Sequence, residues 1–191
     1  MYLNVLYHDL MNNEIFFSIF SLAHRSAFLD WLIVFSANGF GYIMIVLAVL
    51  FVYAHHDPEF YKKPFMNITR KIREIILVFS SGVIAWIVAS VIKSLIIYPR
   101  PFIALSTITP LFYHGGMDSF PSGHATFFFA LATSLYLSHR SIGLWYILVA
   151  LIVCFGRVAS GVHFPVDILG GAVLGSLIAL ILGAFLRPRK S

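Results

Sequence analysis

The stretch IILVFSSGVIAWIVASVI, residues 75–92, holds no charged side chain, and KSLIIYPRP, residues 93–101, follows it with a lysine, an arginine and two prolines. As α-helix, an uncharged run of that length rises about 27 Å, close to the roughly 30 Å of bilayer hydrocarbon. The segment is therefore predicted to span a membrane, to continue to about residue 98, and to be ended by Pro99 and Pro101. Hydrocarbon penalises charge, so Lys93 and Arg100 need a reason to stand at its end.

The rest of the chain agrees. Its 191 residues are 60% hydrophobic and 11% charged, where a soluble domain carries about 25% charge. Five clear spans are predicted. The first, 31–54, is interrupted by Asn38-Gly39-Phe40-Gly41 and is either one long tilted helix or two pieces meeting at the glycines. The others are 75–92 with its extension, 121 or 122 to 138, 141–156, and 165–186. Residues 14–22, EIFFSIFSL, are too short to cross and read as an interfacial helix, with a sixth span as the alternative. Irregular backbone cannot face lipid and no barrel-like alternation is present, so the expected fold is an all-α, polytopic transmembrane helix bundle. It is expected to form a single membrane-embedded domain over 1–191, with an N-terminal helix in 1–30, a core in 31–186 and a basic cytoplasmic tail in 187–191. The first residues lack the basic region of a cleaved signal peptide, so the spans are expected to be retained. The lone Cys154 allows no intramolecular disulfide and reads as a small buried hydrophobe.

The net charge of +5 reports topology here and implies no nucleic-acid partner. Lys62, Lys63, Arg70, Lys71 and Arg73 lie between the first two spans, Arg140 between the third and fourth, and Arg187, Arg189 and Lys190 in the tail. If the spans alternate, these nine of the thirteen basic residues share one side, which is cytoplasmic by the positive-inside rule. Lys93, Arg100, His124, Arg157 and His163 then all fall at span ends on the opposite face.

Each of these clusters has a chemistry and a plainer alternative. Lys93 and Arg100 are seven apart, two turns on one helix face, and suit phosphate oxygens, although both could instead snorkel to the interface. Pro121-Ser122-Gly123-His124 reads as a helix start. Its free N–H groups attract anions, Gly123 permits close approach, and His124 can give a proton to a leaving oxygen. An ordinary capped helix with a wet histidine would look the same. His163 and Asp167 are four apart, with Pro165 where a helix begins. The carboxylate can fix the imidazole tautomer and free the other nitrogen to attack, with Arg157 close in sequence to hold the electrophile. A structural His–Asp pair is the alternative. Two histidines and an aspartate could bind a metal, but three cations beside them repel one and attract an oxyanion.

These motifs resemble those of the type 2 phosphatidic acid phosphatases, the superfamily of membrane acid phosphatases and vanadium haloperoxidases. KSLIIYPRP from Lys93, PSGH from Pro121 and GRVASGVHFPVD from Gly156 match its pattern in order and spacing. The resemblance implies His163 as the nucleophile forming a phosphohistidine, Asp167 orienting it, and His124 protonating the leaving group. It also implies Lys93, Arg100, Ser122, Gly123 and Arg157 as the phosphate-binding residues, with no cofactor and no metal. Gly156 stands where the family usually has serine, which puts one phosphate contact in question. Membrane members usually have six spans.

The size and small outer loops resemble those of bacterial undecaprenyl diphosphate phosphatases. The expected partner is thus a lipid phosphate or diphosphate in the bilayer, hydrolysed at the periplasmic or extracellular face of a cell (inner) membrane. A glycerophospholipid (phosphatidate or phosphatidylglycerophosphate) or lipid A phosphatase would carry the same motifs. A vanadium haloperoxidase would too, but those relatives are soluble. A non-enzymatic lipid binder or transporter is the competing class. No oligomeric state is read from the sequence.

Overall fold

The computed structural model describes residues 2–54 and 64–186, with side chains from 11–54 and 72–185, and among these residues the regular structure is helical. Helix α1 covers Tyr2–Phe20 and α2 Ala27–Val34. A π-helical turn, Phe35–Gly39, joins α2 to α3, Phe40–Ala54. The polar break in the first predicted span is thus bridged by one continuous helical path. The wider turn absorbs the extra residue without ending the helix.

Helix α4, Pro64–Leu95, is followed by the short α5, Pro101–Ala104. The predicted continuation to residue 98 does not form. Tyr98 and Arg100 each precede a proline, which disfavours helical backbone. They pair instead with the segment before α6: Tyr98 N–H donates to Met117 O at 3.1 Å, Ser119 N–H to Tyr98 O at 2.9 Å, and Arg100 N–H to Gly116 O at 3.1 Å. Helices α6, Gly123–Ser138, α7, Arg140–Ala159, and α8, Pro165–Leu186, complete the fold.

Helix α6 is the axis of the bundle and packs on α4, α7 and α8. Its Ala130, Leu131, Ala132 and Leu135 are fully buried. Small residues let α8 approach it backbone to backbone, as is common where lipid supplies no hydrophobic drive between helices. A Cβ on Gly171 would lie 2.6 Å from Ser122 O, and one on Gly175 would strike Thr126 O. Both pairs are one turn apart, so α6 and α8 run parallel and their first turns sit side by side. Ser81 and Ser134 hydroxyls meet at 2.7 Å between α4 and α6.

Among the described residues, four helical stretches are long and apolar enough to cross a membrane: Ala27–Ala54, Ile72–Leu95, Arg140–Ala159 and Pro165–Phe185. They correspond to four of the five predicted spans. The remaining one, α6, has only 16 residues, about 24 Å of rise; its neighbours, rather than lipid, surround it. Outward side chains such as Trp86, Leu169 and Phe185 are 53%, 66% and 82% exposed, as expected of a membrane protein. Helix α1 is longer than the apolar stretch 14–22. Its fully buried Phe16 stacks on Phe20 at 5.5 Å and meets Phe164 at 5.3 Å, so this helix docks on the bundle beside α8.

At one end of the bundle, His139 Nε2 lies 2.6 Å from Glu74 Oε1, tying the α6–α7 link to the N-terminal half of α4. Arg73 and Arg140 flank that contact in sequence. Of the other basic residues used to orient the chain, Lys62, Lys63, Arg187, Arg189 and Lys190, with the side chains of Arg70 and Lys71, lie outside the described residues.

The Gly175 contact yields a stability prediction. Gly175→Ala forces α8 off α6 and costs about 1–3 kcal/mol; a lowered thermal midpoint of the detergent-purified protein checks it.

Candidate active site

The start of α8 positions the first pair. Pro165 opens the helix, and Asp167 in its first turn reaches back so that Oδ2 accepts the Phe164 N–H at 2.8 Å. The same oxygen accepts the Ser119 hydroxyl at 2.5 Å and lies 3.3 Å from His163 Nδ1. His163 Nε2 faces Arg100 Nη1 at 3.3 Å. Arginine only donates, so Nε2 presents its lone pair and Nδ1 carries the proton toward Asp167. His163, Asp167, Arg100 and Arg157 are each at most 1% exposed.

Lys93 and Arg100 do meet, but not on one helix face. Arg100 lies past the end of α4 in extended backbone. Asp118 brings the two together. Its Oδ1 accepts Arg100 Nε at 3.1 Å and the Gly116 N–H at 2.8 Å, and its Oδ2 lies 3.9 Å from Lys93 Nζ. Lys93 Nζ also donates to the Asp118 carbonyl. Gly115, at φ +67°, folds the loop tightly onto this pair: a Cβ there would sit 2.7 Å from Arg100 Nε.

Ser122 caps α6, and its N–H donates to the Asp167 carbonyl at 3.0 Å. A Cβ on Gly123 would lie 3.3 Å from the Trp86 ring, so its small size makes room for that indole. His124 borders a cavity of about 270 Å³ whose other walls include Tyr42, Ile45, Trp86, Phe127 and Phe128. The His114 ring stands edge-on to His124, centroids 6.4 Å apart.

Near the end of α7, Arg157 Nη1 donates to Asn38 Oδ1 at 2.9 Å, and its guanidinium lies over the Phe112 ring at 5.3 Å. Asn38 belongs to the π-helical turn, which carries it to this position. Arg157 Nε and Nη2 and the Ser122 hydroxyl are buried and make no hydrogen bond within the described residues. Gly156 faces elsewhere. A Cβ there would strike Ser36 Oγ and lie 2.8 Å from Ala37 N. This position therefore seats α7 against the π-helical turn, and a side chain there would point at Ser36 and Ala37.

The profile of the PAP2 superfamily matches residues 74–190, which include every one of these motifs. The chain belongs to the PAP2 superfamily. It is 30% identical over 183 residues to undecaprenyl-diphosphatase BcrC of Bacillus subtilis (strain 168), a match covering 93% of this chain and 87% of that protein. It is also 30% identical over 115 residues to the lipid A 1-phosphatase of Rhizobium etli, covering 54% of this chain and 46% of that one. The crystal structure of Aquifex aeolicus LpxE superposes with a TM-score of 0.69 at 25% identity, covering 90% of this chain and 94% of the other. The PAP2 type phosphatidylglycerolphosphate phosphatase of Bacillus subtilis shares the fold, with a TM-score of 0.54 at 20% identity over 91% of this chain and 85% of that one.

The structure also brings beside these motifs residues that motif reading passes over. Asp118 and Ser119 stand directly before the PSGH segment; Asp118 is the only acid between Glu74 and Asp167, which is the signal that could have found it. Asn38 was visible as the polar break in the first span, and His114 as an isolated loop histidine. Arg25 donates to Ser21 O at 2.7 Å, at the end of α1.

Electrostatics favours a neutral His163. Burial, then the charges of Arg157, Arg100 and Lys93, lower its pKa well below the ordinary value. Burial pushes the Asp118 carboxyl up, but hydrogen bonds from Arg100 and the Gly116 N–H, with the charges of Arg100 and Lys93, hold it well below the usual carboxylate range. Asp118 thus stays ionised as pH falls through the ordinary carboxylate range. Arg100→Gln removes one of the charges that oppose His163 protonation. The acid limb of kcat/KM then moves to higher pH, measurable as paired pH profiles of both forms on one substrate.

Proposed function

We propose that this membrane phosphatase of the PAP2 superfamily hydrolyses a lipid phosphate or diphosphate at the outer leaflet through a phosphohistidine, and that undecaprenyl diphosphate is its preferred substrate. One observation carries the proposal. Buried donors of Arg157 and Ser122 that make no hydrogen bond within the described residues accompany Arg100, next to a His163 Nε2 lone pair. Unpaired buried donors are costly, and a phosphoryl group satisfies them.

In this scheme Lys93, Arg100, Arg157, Ser122 and the first N–H groups of α6 hold the phosphoryl oxygens. His163 Nε2 attacks phosphorus and forms the N–P bond, while the bond from phosphorus to the leaving oxygen breaks. His124 gives that oxygen a proton. Water then attacks the phosphohistidine, His124 takes a proton from it, and inorganic phosphate leaves. Asp167 keeps the His163 proton on Nδ1 throughout. Charge neutralisation and positioning supply the rate, as is usual in phosphoryl transfer, and no metal is required.

The apolar cavity beside His124 favours a leaving group that carries hydrocarbon. The outer-face placement rests on Arg73 and Arg140 standing near the Glu74–His139 contact, at the far end of the bundle from the site. The choice of diphosphate rests on the relative named undecaprenyl-diphosphatase, similar over 93% of this chain. A lipid A or glycerophospholipid phosphatase is the second reading, favoured by the likeness to Aquifex aeolicus LpxE.

The test is a substrate panel of undecaprenyl diphosphate, lipid A and phosphatidate, read as phosphate release. Highest kcat/KM on the prenyl diphosphate is expected; faster turnover of either other lipid overturns the choice. His163→Ala should lose at least about 10³-fold in kcat, while keeping its elution profile in detergent. Retention of most activity would exclude the histidine nucleophile.

A further inference from the structure

Residues 112–118 form a roof over the site, and each part touches a different member of it. Phe112 covers Arg157, Gly115 packs on Arg100, and Asp118 binds Lys93 and Arg100. Between them His114 meets His124. The neighbouring Tyr113 is anchored by an edge contact to Phe102 at 5.4 Å, and Arg100 N–H bonds the loop at Gly116 O. His114 is therefore held in place beside the histidine proposed to meet the leaving oxygen, and it is exposed.

We propose that His114 is a specificity-determining residue that binds the second phosphate of a diphosphate substrate, the one that stays on the lipid when the terminal phosphoryl group is transferred. This deepens the lipid phosphatase reading and rests on it. In-line transfer fixes the order of groups: His163 Nε2, phosphorus, leaving oxygen, then whatever that oxygen carries. In a monophosphate ester the next atom is carbon. In a diphosphate it is a second phosphorus with anionic oxygens, lying just past His124. Lys93, Arg100 and Arg157 are already engaged with the transferred group. The other cavity walls beside His124, from Asn38, Tyr42, Ile45, Trp86, Phe127 and Phe128, carry neutral donors but no cation to balance negative charge. The His114 imidazole is the side chain of the roof that can become a cation there. Burial and the charges of Arg157 and Arg100 hold its pKa below the ordinary value when no anion is bound. A phosphate beside it opposes that effect and favours the imidazolium.

The experiment compares wild type, His114→Ala and His114→Gln on farnesyl diphosphate and farnesyl monophosphate, which share one tail. His114→Ala is expected to lower kcat/KM for the diphosphate about tenfold or more, and to leave the monophosphate within about twofold. His114→Gln keeps an N–H donor but no charge, and should recover only part of the diphosphate activity. The monophosphate rate also reports that the variant is folded. Equal proportional losses on both substrates, or a diphosphate rate within about twofold of wild type, overturn the proposal. A wild-type protein that releases phosphate from neither ester overturns the lipid phosphatase reading as well, so the two failures are distinguishable.

Discussion

The site depends on one buried carboxylate oxygen. Asp167 Oδ2 gathers the Phe164 N–H, the Ser119 hydroxyl and the Nδ1 side of His163. A charge taken out of water costs several kcal/mol unless its lone pairs are met. Meeting the lone pairs of Oδ2, while Oδ1 makes no hydrogen bond within the described residues, fixes the first turn of α8, the segment leading into α6 and the tautomer of the imidazole at once. The Ser122 N–H bond to the Asp167 carbonyl adds the start of α6. Two parallel helices are thereby held so that their N-terminal ends open on the same space, where free N–H groups favour an anion.

The scaffold behind that arrangement is built for close approach. Gly171 and Gly175 bring α8 onto α6, and Gly156 brings α7 onto the π-helical turn. The second contact has a chemical result. It sets Asn38 against Arg157, which leaves the remaining guanidinium donors for another acceptor. A position that family comparison would count as a lost hydrogen-bond donor is thus a packing position in this chain.

Much of this was legible in the sequence because membrane helices and short motifs are local signals. The all-helical fold, the start of α8 at Pro165 and the nearness of His163 to Asp167 follow from hydropathy and a spacing of four. The rest depends on partners far apart in the chain. Seven residues between Lys93 and Arg100 suggested one helix face, yet prolines at 99 and 101 broke the helix, and Asp118, eighteen residues beyond Arg100, did the joining. Asn38 looked like an interruption of a span because nothing near it in sequence shows that Arg157 lies opposite. Hydropathy also cannot tell a helix that faces lipid from one that faces other helices, which is why α6 counted as a span like the rest.

That sheathed position of α6 bears on how the chain enters the bilayer during synthesis. A 16-residue helix containing serine, threonine and histidine gains little by partitioning into lipid alone. Only His139 separates it from α7, which is apolar and full-length. Insertion of the two as one hairpin lets the longer arm carry the shorter across, so the central helix is delivered to its place by a neighbour.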